Sequence, residues 1–200
     1  MLRPEPVKLR GRHVTLEPLA QEHSAELFAI SRHPELWRLS LQPMDNLQDV
    51  EAYVASALEG QAAGTALPFV QRCAASGELV GSTRYGNIDI FNRKLEVGWT
   101  WLTPARQRSG INTEAKYLLL SHAFETLDAC RVEFKGDARN EKSRAALERI
   151  GAQFEGILRQ HMRTADGGQR DSFYFSVIAG EWPETKARLE KRMSDYPETG

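Results

Sequence analysis

The 200-residue sequence predicts a mixed α+β fold, a mostly antiparallel central sheet flanked by helices. Two segments of helical period follow one opening strand, before any run of strands. Between residues 66 and 102 the period changes to two, and short turn signals make successive segments antiparallel neighbours. Helix and strand then alternate singly and the chain closes on a hairpin. That is not the repeating order of a doubly wound sheet.

Val7 to Glu17 reads as one opening strand, with Val14 and Leu16 alternating against polar neighbours. Gln21 to Arg32 places Ala25, Leu27, Phe28 and Ile30 at helical spacing, and Pro34 stops that helix. Asn46 to Gln61 repeats the pattern with Val50, Tyr53, Val54, Ala57 and Leu58, ending between Gly60 and Gly64. Ala66 to Ala74 and Leu79 to Asn87 form a hairpin about Ser76-Gly77. Asn92-Arg93 opens the next strand, Lys94 to Leu102. Strict alternation puts Leu95, Val97, Trp99 and Trp101 on one face and Glu96, Gly98 and Thr100 on the other. Thr113 to Leu127 is the clearest helix, with a stripe of Ala115, Leu118, Leu119, His122 and Ala123. Arg131 to Ala138 is a short strand with Val132 and Phe134 inward. Glu141 to Ile150 is a helix closed by Gly151. Gln153 to Arg163 and Asp171 to Ile178 make the last hairpin, about the turn Ala165 to Gly168. Glu181 to Met193 is a charged terminal helix, after which the chain is expected to fray. Residues 1–200 thus read as one domain, with a core of about 7–180 and a terminal helix of about 181–196.

Lys and Arg number 26 against 27 Asp and Glu, a net charge of −1 with a pI of about 6.5. A nucleic-acid partner is not expected, because a basic face of that size raises the pI. No run approaches the roughly 18 apolar residues of a membrane span. Met1 to Arg12 has no apolar core, so a secretory signal is not expected and a cytoplasmic protein is. Cys73 and Cys130 show neither metal spacing nor a disulfide framework. They read as two buried thiols in a reducing compartment. His13, His23 and His33 have no partner at metal spacing and read as surface residues, so no metal is expected.

Arg106-Gln107-Arg108-Ser109-Gly110-Ile111-Asn112 lies between a strand and the clearest helix. Gly110 would let the backbone approach a ligand closely. Helix N-terminal amides favour an anion, and Arg106 and Arg108 add formal charge. No Gly-Lys-Ser/Thr follows, so this is not a P-loop. One glycine and an antiparallel incoming strand do not make a dinucleotide fingerprint. By itself the segment fits either a pyrophosphate cradle or a polar helix cap.

With the strand before it, the amphipathic helix after it, and Asp137-Ala138-Arg139-Asn140-Glu141-Lys142-Ser143 followed by Ile150-Gly151-Ala152, the chain resembles the GCN5-related N-acetyltransferase (GNAT) family. It is most similar to the ribosomal-protein N-terminal acetyltransferase (RimJ/RimL-type) branch, over about residues 7–180. The family's loop, Gln/Arg-x-x-Gly-x-Gly/Ala, corresponds to Gln107 to Asn112 and departs from it at Asn112. The resemblance implies a GNAT acyl-CoA fold that uses acetyl-CoA as cosubstrate. Two neighbouring strands, ending near Leu102 and Ala138, would part, with pantetheine in the gap beside Trp99, Thr100 and Trp101. The diphosphate would rest on Arg106, Gln107, Arg108, Ser109, Gly110, Ile111 and Asn112. Asn140 would contact pantetheine; it also suits a helix N-cap, and the two roles can hold together. Ser143 stands where this branch places a hydroxyl near the sulfur; the Tyr of other relatives is missing.

Acetyl transfer to an amine needs a base, because free amines are protonated at neutral pH. Glu96 is the first candidate, in Leu95-Glu96-Val97-Gly98-Trp99, where several family members carry a catalytic Glu; burial would raise its pKa. The competing reading is a surface or ion-paired Glu. His161 is the second candidate, by its ordinary pKa near 6.5, against a solvated strand His. Glu155 is a third. The Glu that the ribosomal-protein branch carries near His161 is missing here. The link between the first two helices lines the acceptor cleft in this fold, which makes Trp37, Arg38, Arg84 and Tyr85 candidate substrate contacts; Trp and Tyr also pack well in cores. The acceptor would be a protein N-terminus, an amino acid or a small amine. The alternative function is a non-catalytic acyl-CoA-binding or regulatory module. A structural partner of the ribosome would carry more basic charge. A homodimer through the late hairpin is compatible with the sequence.

Overall fold

The computed structural model describes residues 2–164 and 167–196. The expected opening strand is two: β1 (Leu9–Arg10) turns back on β2 (Val14–Pro18), with Leu9 opposite Leu16. The charged Arg10-Gly11-Arg12-His13 stretch holds the turn, which alternation alone did not reveal. A 3₁₀ turn at Gln21–His23 leads into α1 (Ser24–Ser31), and Pro34 starts a second 3₁₀ turn. α2 (Leu47–Ala62) opens on a reciprocal cap: Asn46 Oδ1 accepts from Asp49 N at 3.0 Å, and Asp49 accepts from Asn46 N at 3.3 Å.

Three antiparallel strands follow, β3 (Leu67–Cys73), β4 (Leu79–Asp89) and β5 (Lys94–Leu102). α3 (Gly110–Ser121) begins three residues before the expected Thr113 because Ser109 caps it, and runs on into a π turn at His122–Thr126. β6 (Arg131–Asp137), α4 (Glu141–Ile150), β7 (Gln153–Arg163), β8 (Gln169–Ile178) and α5 (Trp182–Ser194) complete the chain. Gly151 closes α4 at φ +92°, a left-handed position suited to glycine. Of the expected turn between β7 and β8, Ala165 and Asp166 lie outside the described residues, as do the terminal residues 197–200 expected to fray.

The eight strands form one sheet in the order β1-β2-β3-β4-β5-β6-β8-β7, antiparallel throughout except for β5 beside β6. Two hydrophobic clusters cover its two faces. α3 and α5 bury Ile111, Ala115, Leu119, Trp182 and Leu189 against Leu95, Val97, Phe134 and Phe175. α1 and α2 bury Leu27, Val50, Tyr53 and Val54 against Val70 and Trp101 on the other face.

The expected stripe of β5 does not hold. Ser82 pairs with Trp101 and Arg84 with Gly98, so Thr83 faces two residues, Trp99 and Thr100. This bulge puts Trp99 at φ +50° and reverses the alternation beyond it. Trp101 therefore joins the α1–α2 cluster, opposite Leu95 and Val97. His13 is not a surface residue but fully buried. Cys73 is buried as expected, but Cys130 is exposed; both are free thiols.

Candidate active site

β5 and β6 pair only from Lys94, Leu95 and Glu96 to Arg131, Val132 and Glu133. Beyond that point no ladder joins Val97–Leu102 to Phe134–Asp137. The ladder ends at Glu96, just ahead of the bulge, and β5 then leads into the loop that opens α3. A gap between two strands leaves N–H and C=O groups for an extended ligand, as an added strand would use them.

The loop is built locally. Gln107 Nε2 donates to Leu102 O at 3.2 Å, and Arg108 turns the backbone at φ +59°. Ser109 Oγ donates to Arg106 O at 2.7 Å and accepts from Ile111 N at 3.4 Å. Arg106 is held by Glu78, with Nη2 2.8 Å from the carboxylate, whereas Arg108 is exposed. The Ile111 side chain is core and Asn112 is half-buried. Gly110 is explained differently from the sequence reading: a Cβ there would lie 2.9 Å from His13 Cδ2. The residue makes room for a buried imidazole, and the left-handed turn falls on Arg108 instead.

Glu96 sits on the α1–α2 face at the mouth of the gap and is 3% exposed. Its Oε2 accepts from Asn87 Nδ2 at 2.8 Å and lies 3.3 Å from Lys135 Nζ. The carboxylate is thus an ion pair rather than a lone buried acid. Gly98 beside it has no side chain, and a Cβ there would come within 2.9 Å of Glu96 Oε1. His161 stands edge-on to the Tyr174 ring at 5.8 Å and feels the charge of Glu96, Lys135 and Arg170. Burial, then Lys135 and Arg170, hold its pKa below the ordinary value, so the imidazole is neutral at neutral pH. Glu155 is already committed: Ser176 Oγ donates to it at 2.5 Å and Arg131 Nη1 at 2.6 Å, and both hold its carboxyl below the usual range.

Asn140 caps α4, its Oδ1 accepting from Ser143 N at 3.0 Å. Ser143 stands half-buried in that first turn. Of the candidate acceptor contacts, Tyr85 is ruled out: it is fully buried on the α3 face, where its hydroxyl donates to Leu119 O at 2.5 Å. Strand alternation places it opposite its neighbour Arg84. Trp37 is core as well, its Nε1 donating to Ser31 O at 2.9 Å and its ring edge-on to Trp101 at 5.3 Å. Arg38 is exposed. Arg84 lies on the Glu96 face, its guanidinium against the rings of Tyr53 and Trp99.

Besides Asn87 and Lys135, two buried charges on α3 escaped the sequence reading. Lys116, on α3, buries its ammonium under the bulge. Nζ donates to Thr100 Oγ1 at 3.1 Å and lies 5.7 Å from the centre of the Phe134 ring, so it spans the gap from below. Burial pulls its pKa down to about 8. A lysine beside Leu119 and Leu120 at i+3 and i+4 was the available signal. Glu114 accepts from three backbone amides of the β1–β2 turn, Arg12 N at 2.8 Å, His13 N at 2.5 Å and Val14 N at 2.9 Å. Among the described residues no cluster of three His, Cys, Asp or Glu is placed to hold a metal.

Residues 13–153 match the acetyltransferase (GNAT) domain family. YdaF of Bacillus subtilis (strain 168), provisionally named a ribosomal N-acetyltransferase, is 38% identical over 110 residues, 55% of this chain. The matched stretch spans 59% of that relative's length. A GCN5-related N-acetyltransferase from Brucella melitensis has a similar structure, with TM-score 0.88 and 33% identity over 96% of this chain and 87% of that one. Mycobacterium smegmatis RimJ in complex with CoA-disulfide is similar at TM-score 0.77 and 26% identity over 95% of each chain.

Proposed function

The chain belongs to the GNAT family of acetyl-CoA-dependent acetyltransferases, and from that membership we propose that it acetylates a primary amine with Glu96 as the general base. The observation that carries this reading is the parting of β5 and β6 directly beside the buried Glu96. Acetyl-CoA, when bound, supplies an activated acyl carbon and a thiolate leaving group. The freed edges of β5 and β6 suit its extended pantetheine arm. The first-turn amides of α3 and the exposed Arg108 suit its diphosphate.

The acceptor approaches on the α1–α2 face, where the missing Gly98 side chain lets the Glu96 carboxylate lie close over β5. Glu96 takes the amine proton, directly or through one water, so that the nitrogen lone pair is free to attack. Asn87 orients the carboxylate and Lys135 balances its charge. Backbone N–H groups at the Trp99–Thr100 bulge, turned out of the ladder, are the donors for the developing oxyanion. Ser143 donates to the departing sulfur from the first turn of α4. His161, neutral and nearby, is the second base.

A cytoplasmic location belongs to the same reading, supported by two free thiols. No helix among the described residues is long and apolar enough to cross a membrane. A homodimer is supported by the exposed Phe154, Ile157 and Leu158 on the edge strand β7.

The test is Glu96→Gln, which keeps the shape and removes the base. With an amine that wild type acetylates, kcat should fall about 10²- to 10⁴-fold while the calorimetric Kd for acetyl-CoA holds. His161→Ala should cost less. Full activity in Glu96→Gln with loss in His161→Ala would transfer the role to the histidine.

A further inference from the structure

Arg84 is 5% exposed, and its Nε and Nη2 are sealed from solvent with no hydrogen-bond partner. Among the described residues no carboxylate pairs with it. A guanidinium keeps its charge in proteins, and a buried unpaired charge is costly. Two aromatic rings pack on the group: its central carbon lies 4.7 Å from the centre of the Tyr53 ring and 4.8 Å from that of Trp99. Only its edges are left to bond. Nε and Nη2 share one edge, and that pair is the fork that grips a carboxylate through two parallel hydrogen bonds.

The surroundings favour a ligand over an internal partner. Arg84 pairs with Gly98 and Gly86 with Glu96, so Arg84 and Glu96 are diagonal neighbours on one face. Such positions lie about 7–8 Å apart; glycines stand at the other two corners, Gly98 under the Glu96 carboxylate and Gly86 under the Trp99 ring. An amine at Glu96 and an anion at Arg84 would therefore belong to one small molecule. The cover is Trp99, 36% exposed and held at the bulge; its ring lies so close over Gly86 that a Cβ there would meet Cζ3 at 2.3 Å. Displacing that ring would uncover the guanidinium on the side of the sheet that carries Glu96.

We propose that the acceptor is an amine bearing a carboxylate one or a few atoms away, as in a free α-amino acid, and that the Nε/Nη2 edge of Arg84 receives this carboxylate beneath Trp99. The inference rests on the acetyltransferase reading and narrows its acceptor. A peptide N-terminus would offer a neutral carbonyl at the same place and leave the guanidinium uncompensated.

The experiment uses the full chain, the twenty L-amino acids and their carboxamides. Acetyl-CoA turnover should favour at least one free acid over its own carboxamide by about 100-fold in kcat/KM. In Arg84→Gln that ratio should fall below about threefold, with an acetyl-CoA Kd equal to wild type. If Arg84→Gln does not fold, Arg84→Lys, which keeps the charge and loses the fork, should cut the ratio about tenfold. Carboxamides used as well as free acids, or a ratio unchanged in the variant, would overturn the proposal. Thermal protection by free acids over carboxamides is read in parallel and needs no turnover. Its absence overturns the proposal, whereas failure of acetyl-CoA itself to bind overturns the acetyltransferase reading alone.

Discussion

Gly110 shows how one residue can be read correctly as constrained and wrongly as to the cause. In the sequence it stands at a loop-to-helix junction beside two arginines, and close approach of a ligand is the natural reason for a glycine. In the structure the close approach comes from His13, which the chain brings from nearly a hundred residues away. Gly110→Ala should therefore act first on stability. Forcing a methyl to 2.9 Å from a buried ring is overpacking, worth about 1–3 kcal/mol. Denaturant melts should show that loss, and it should shrink when His13→Ala is made in the same chain, because the two sites couple through one contact. A stable Gly110→Ala that merely loses acetyl-CoA affinity would restore the ligand reading. Asn140 is the converse case: a cap by geometry, fully compatible with the contact that the family resemblance implies.

Among the elements, α3 carries two buried charges that periodicity passed over, and they do different things. Glu114 anchors the β1–β2 turn through three amides, fixing the N-terminal strands to the helix. Lys116 buries an ammonium with one hydroxyl partner, and its pKa falls to about 8 from 10.5. Below about pH 8 both the folded and the unfolded chain hold that proton, and the burial penalty is full. Between about 8 and 10.5 only the unfolded chain holds it, so stability rises with pH across that window. Lys116→Met should stabilise the ligand-free protein at pH 7 by up to about 3 kcal/mol. The variant should also lose the rise above pH 8. Urea melts across that range check both. A Lys116→Met protein less stable than wild type at pH 7 would show that the Thr100 contact outweighs the burial.

The whole molecule is a sheet whose centre is deliberately incomplete. β5 and β6 pair over three residues and then separate, leaving each without its neighbour where both would otherwise be central strands. A ligand that fills the gap replaces the missing strand and should stabilise the entire fold. At acetyl-CoA a hundredfold above its Kd the gain is about 2.7 kcal/mol. For a chain of this size that raises Tm by about 5–10 °C. Hydrogen exchange should slow at Val97–Leu102 and Phe134–Asp137 together. A Tm unmoved by acetyl-CoA would mean that the gap is not the cosubstrate site.

Nearly every element is legible in the chain, because local signals set them: the Asn46 cap, the Ser76-Gly77 turn, the left-handed close at Gly151, the alternation of Val132 and Phe134. It also determined the family, since the Gln107 to Asn112 loop and the Asn140 to Ser143 segment are contiguous in the chain. What it could not determine depends on pairing between strands. The bulge at Trp99–Thr100 exists only in register with Thr83, and it alone moves Trp101 to the other face and lays Trp99 over Arg84. Tyr85 and Arg84 are adjacent letters, yet alternation sends one into the α3 core and the other to the acceptor side. The burial of His13 and the ion pair of Glu96 with Lys135 join residues far apart in sequence, and only tertiary contact sets their partners, exposure and role.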